Sequence, residues 1–270
     1  MRRSTHGGTG PLADVAAPFH VQRPALTSAV WLHTTLWLRR LLQTRQAVGL
    51  AVLALVVVAV IVAVARQNPG DVAAVLEGLL SIGVPATGLV ALGLGIGAIR
   101  RDADAGALDA LMLRPHAAAA LPLGRLLATA LVVWGFALLV VVGCGVGDAW
   151  LGRVWPLARI ALMIVALPLG ALAYAAVFVA IGAWFRAAAA VSLVWWLAAD
   201  LGLSRAIDGA ARISVRPAFT TLLQFDTDVA ILGRLEGDAV LFWIAVLQLI
   251  ALAGVGVVAT WWRTRGDVPD

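Results

Sequence analysis

The sequence contains no lysine: all 20 basic residues are arginine. A nucleotide-binding loop of the usual kind needs a lysine on the phosphates, and Schiff-base chemistry needs a lysine amine, so this chain has neither. If ATP is used, another chain binds it. Cysteine is almost as scarce. The single Cys144 lies inside an apolar run, which gives no disulfide framework and no thiolate cluster and suits a small buried hydrophobe. Charge is also sparse, at 13% of 270 residues, about half the share of a soluble domain. Against these absences, 62% of residues are apolar and the mean hydropathy is +0.96. A soluble domain of this length needs more polar surface than that. The composition points to an all-α, polytopic membrane protein.

The formal charge is +5 and the sequence pI about 11.1. Because the arginines lie mostly between apolar runs, they read as topology signals and anionic-lipid contacts rather than a nucleic-acid surface. Residues 1–24 mix Gly, Pro, Thr, His and Arg without periodicity and read as a disordered cytosolic tail. No signal-peptide core follows the basic start. Over residues 25–45, Val30, Trp37 and Leu41 share one side of a helix, with Ser28, Thr35 and Arg39 opposite. Arg39, Arg40 and Arg45 crowd its end, and Thr34 and Thr44 interrupt the apolar side. The segment reads as an interfacial helix on the cytosolic leaflet, anchored by Trp31 and Trp37, with a plain extension of the first span as the alternative.

A helix needs roughly 20 apolar residues to cross the hydrocarbon core, and a mid-bilayer Arg or Asp costs about 2.5–3.5 kcal/mol. Charge-poor windows at about 46–65, 78–99, 126–147, 160–182, 187–204 and 239–262 therefore read as six spans. The fifth is the weakest, with Asp200 near one end, toward the outer interface. Residues 148–159 form a loop whose Trp150 and Trp155 suit an interface belt. Residues 205–238 form a long extracytoplasmic loop with room for short re-entrant or interfacial helices. Counting arginines near the spans gives Arg39, Arg40, Arg45, Arg100, Arg101, Arg114, Arg125, Arg186, Arg263 and Arg265 on one side. The other side has Arg66, Arg153, Arg159, Arg205, Arg212, Arg216 and Arg234. The bias places both termini inside. Gly93 and Gly97, like Gly143 and Gly147, have the small-xxx-small spacing that lets helices approach closely, within one subunit or between two.

Catalytic patterns are missing. None of the four histidines has a second ligand at metal spacing on a span. No Gly-x-Ser-x-Gly elbow is present. Asp208, Gly209 and Arg212 fall one residue short of the membrane phosphatidyltransferase spacing. The spans carry almost no charge, which argues against a proton-driven carrier.

The most informative stretch is the connection at 100–122. Leu108, Leu111 and Met112 make one apolar helical face, Asp102 and Asp109 lie opposite, and Pro115 ends the helix. Such an amphipathic helix fits a groove on a soluble partner or lies on lipid. The segment resembles the cytosolic connection of type 2 ABC exporter permeases of the drug and polysaccharide class. In that pattern an acidic stretch precedes Gly-Thr-Leu-Glu-x-Leu-Leu-x-x-Pro, and a Leu-Gly-Lys enters the third span. Here Asp102 or Asp104 fills the acidic place. Gly106, Leu108, Asp109, Leu111, Met112 and Pro115 follow, with Ala107 in place of Thr and Arg125 in place of Lys after Leu123 and Gly124. The ending from Trp262 to Asp267 is similar to the aromatic-Arg-Arg-Asp ending of the family.

The resemblance implies a bacterial inner-membrane permease without enzymatic activity of its own. It implies alternating access driven by a separate nucleotide-binding ATPase that holds ATP and Mg, and a second permease, either a copy or a related chain. The membrane lipid is the other partner, and nucleic acid is not one. Asp104, Gly106, Leu108, Asp109, Leu111, Met112 and Pro115 would be the ATPase-coupling residues, with Trp31, Trp37, Arg39 and Arg40 on the interfacial helix. A secondary transporter or channel, an intramembrane lipid-modifying enzyme and a non-transporting assembly subunit are the rival readings.

Overall fold

The computed structural model describes residues 25–43, 45–67, 73–106, 117–153, 155–203, 214–224 and 236–266. Every regular element among them is helical. In chain order they are α1 (Leu26–Leu42), α2 (Arg45–Gln67), α3 (Ala74–Asp104), α4 (Ala117–Trp150) and α5 (Leu157–Trp184). Next come α6 (Ala188–Trp195, continued in a π-helical stretch Trp196–Leu203), α7 (Val215–Gln224) and α8 (Glu236–Gly266). The N-terminal tail lies outside the described residues.

Among the described residues five helices, α2, α3, α4, α5 and α8, are long and apolar enough to cross a membrane, which makes the chain a multi-pass membrane protein in type. Each carries a charge-free stretch of bilayer length because charge is costly in hydrocarbon, and each is helical because an unpaired backbone group has no partner there. The ends of the bundle are distinguished by their connections. One, called the connection end below, holds the C-terminus of α3 and the start of α4. The far end holds the start of α3 and the α4–α5 loop.

The fifth expected span, at 187–204, is not among these five helices. The helix over Ala188–Trp195 gives way to eight π-helical residues. Asp200 is buried beside Tyr174, which lies in the middle part of α5, rather than placed at an exposed interface. The short helix α7 starts at that depth and runs toward the far end, where Phe219 and Leu223 pack among Leu79, Val140 and Leu167. A short helix within 205–238 is thus present, folded inward.

The packing centre is α5. Its Ala171, Ala173, Tyr174, Ala175, Ala176, Phe178 and Val179 are buried. With no hydrophobic drive between helices in lipid, tight contact depends on small residues. A Cβ on Gly256 of α8 would lie 2.6 Å from the Ala176 carbonyl, and one on Gly182 of α5 would lie 2.9 Å from the Ile96 carbonyl of α3. Of the two glycine pairs read from sequence, Gly143 and Gly147 of α4 face Val58 and Val62 of α2, so this pair packs within the chain. Gly93 has nothing within 4 Å. Cys144 is buried, as its surroundings in sequence lead one to expect.

Three prolines lie within the long helices, Pro85 in α3, Pro122 in α4 and Pro168 in α5. Pro85 follows a π-helical turn over Leu79–Gly83 in α3. The widened turn takes up the residue's missing N–H and its ring.

Candidate functional site

The first site is at the connection end. Side chains on a helix tilt toward its N-terminus, so Arg125, near the start of α4, reaches back to the last turns of α3. There its guanidinium donates to the Ala98 carbonyl at 2.6 Å and pairs with the Asp102 carboxylate. Arg125 is buried, with 7% of its surface exposed. Trp37 of α1 covers the pair, its ring 5.0 Å from the Arg125 guanidinium carbon and 5.1 Å from that of Arg40. Arg40 also reaches Asp102 at 3.9 Å. One carboxylate and one indole therefore join three helices, each cation–π contact adding about 0.5–2 kcal/mol.

The fit of α1 on α4 depends on Gly124. A Cβ there would lie 2.5 Å from the His33 Cβ and 2.9 Å from the Val30 carbonyl. Thr34 turns its hydroxyl back onto Val30 at 2.9 Å and remains buried at this contact. The side of α1 carrying Trp37 and Leu41 faces the bundle, while Ser28, Thr35 and Arg39 are exposed. Trp37 is therefore not a lipid anchor, contrary to the sequence reading: it is 5% exposed and packed under guanidinium groups. Trp31, 65% exposed, keeps a surface position.

Of the expected coupling residues, Asp104 ends α3 and pairs with Arg100 at 2.6 Å, on an exposed surface. Gly106 has φ +65 and donates to the Ala103 carbonyl. That left-handed geometry stops the helix and favours glycine. Leu108, Asp109, Leu111, Met112 and Pro115 lie outside the described residues. In sequence Arg125 stands out only by its place in the family pattern. Its place as the central cation of the junction rests on a contact with Asp102 that no local pattern encodes.

The second site is in mid-bundle. Ser214 donates to the Asp200 carboxylate, and so does the Arg216 backbone N–H at 3.2 Å. The Arg216 guanidinium donates to the Asp200 carbonyl at 3.4 Å. Gln248 of α8 donates to the Ser214 carbonyl at 2.9 Å, and the Tyr174 hydroxyl faces Asp200. Ser192, Trp196 and Asp200 follow at helical spacing on α6, and all three are buried. Ser192 Oγ and Trp196 Nε1 have no hydrogen-bond partner among the described residues. Gly88 makes room for Trp196, whose Nε1 lies 2.7 Å from where a glycine Cβ would stand. Ionisable groups at this depth mark functional candidates.

At the far end, Trp155 turns inward and donates to Asp148 at 2.6 Å, whereas Trp150 is exposed beside Arg66. Among the described residues no cluster of three metal-binding side chains forms. No protein-family model matches the chain, and no curated protein matches it.

Proposed function

We propose that this chain is the transmembrane permease subunit of an ATP-binding cassette exporter, moving its substrate by alternating access while a separate ATPase supplies the energy. The observation that carries the reading is the Trp37–Asp102–Arg125 junction. It fastens α1 to α3 and α4 within the 100–122 connection and its neighbourhood, so a push on that connection acts on three helices together. A lever of this kind needs a soluble motor, and a chain without lysine has no phosphate-binding loop of its own.

In this reading the connection end faces the cytosol and both termini are inside. Arg216, counted on the outer side from sequence, is drawn in beside Asp200, which sharpens the inward arginine bias. The protein resides in the cytoplasmic membrane and works beside a second permease, a copy or a related chain. ATP and Mg belong to the ATPase. Asp104, Gly106, Leu108, Asp109, Leu111, Met112 and Pro115 form the surface offered to it.

Purification in mild detergent tests the proposal. A nucleotide-binding ATPase should come down with the wild-type chain and be lost from Leu108→Asp and Leu111→Asp. Flux through the purified chain alone, driven by an ion gradient without ATP, would contradict it. A secondary transporter is the second reading, favoured by the buried Asp200.

A further inference from the structure

Helices α2 and α3 meet at the far end and part toward the connection end. A Cβ on Gly78 of α3 would come 2.8 Å from an Ile61 methyl of α2. Counting back along both antiparallel helices from that contact brings Gln46 level with Gly93. There the walls stand apart: neither Gly49 nor Gly93 has anything within 4 Å. The resulting cleft, about 320 Å³, is lined by Gly49, Leu53, Leu89 and Gly93, with Gln46 at its mouth. One turn beyond Gly93, the Arg101 side chain folds back over Gly97, its Nε 3.0 Å and Cζ 3.3 Å from where a Cβ would be. The absence of a side chain at Gly97 lets the cation lie toward the cleft. Among the described residues the neighbouring carboxylates are engaged elsewhere, Asp102 by Arg125 and Arg40, and Asp104 by Arg100.

We infer that this cleft binds one anionic phospholipid, with an acyl chain between α2 and α3 and its phosphate against Arg101. The inference needs only the membrane character of the chain and stands apart from the permease reading. An apolar slot with the Arg101 guanidinium lying toward it complements an amphiphile with a negative head, and one arginine near the headgroup contributes a preference of about fivefold. A second copy of the chain would fill the slot with an uncharged helix stretch, which offers no anion to Arg101.

The test uses the full chain in neutral detergent, with bound lipid counted by native mass spectrometry after adding phosphatidylglycerol or phosphatidylcholine. Wild type should retain phosphatidylglycerol about fivefold better. Arg101→Gln should bring the ratio close to one while lipid is still retained. Gly93→Leu, filling the slot, should remove the bound lipid, and Gly49→Leu on the other wall repeats the test if Gly93→Leu does not fold. Glycerol phosphate without acyl chains should not bind. An unchanged ratio in Arg101→Gln would overturn the inference. So would undiminished lipid in a folded slot-filling variant, or loss of a two-chain species with the lipid count unchanged.

Discussion

At the connection end a buried arginine meets a carboxylate, a backbone carbonyl and an indole. In mid-bundle a buried carboxylate meets a hydroxyl and a backbone N–H, while the nearby guanidinium turns to a carbonyl. The first arrangement joins opposite charges directly across three helices. The second distributes hydrogen bonds around a charge at the point where α6 ends and α7 begins. The difference teaches where each region resists change. Direct pairing makes each partner depend on the other, since removing one strands a buried charge. A hydrogen-bonded carboxylate loses less on neutralisation, because its donors keep an oxygen to bind.

Truncation gives the largest contrast. Arg125→Ala should lower stability by about 3–5 kcal/mol, as expected for half of a buried ion pair, measured by unfolding of the full chain in detergent. A loss under about 1 kcal/mol would show the pair behaves as a surface one. The double variant Asp102→Leu with Arg125→Met should recover much of the loss, because no charge is left stranded. Next, Asp200→Asn should cost about 1–3 kcal/mol by the same measurement. A cost matching that of Arg125→Ala would erase the distinction between the two regions. Gly124→Leu sharpens the first region: α1 should detach from α4, and protease cleavage near residue 44 should accelerate while the remainder resists. The smallest effect is expected at Gly106→Ala, about 1–2 kcal/mol from forcing a Cβ into the left-handed region, read as a shift in the unfolding midpoint.

Much of the bundle was legible in the sequence because the spans are charge-free windows of bilayer length, and hydropathy alone marks them. The window at 187–204 is the one expected span not found among the five, and the reason is physical. Asp200 looked like the end of a crossing, but its partner Ser214 lies beyond a ten-residue stretch outside the described residues, and a non-local hydrogen bond leaves no periodic trace. The inward side of α1 was readable from Trp37 and Leu41. That Trp37 packs on guanidinium groups rather than lipid was not, because an aromatic beside arginines has the same pattern in either setting. Gly124 and Arg125 were noticed as adjacent positions; the structure adds the close helix approach and the buried pair that require them.

In the proposed mechanism the 100–122 connection is a lever pressed by a cytosolic motor. A photo-crosslinking residue placed at Leu111 in intact cells tests it most directly. The account predicts one main adduct, with a nucleotide-binding ATPase, abolished when Leu108→Asp is added. Capture of an extracytoplasmic protein, or modification of Leu111→Cys by a membrane-impermeant thiol reagent from outside, would contradict it.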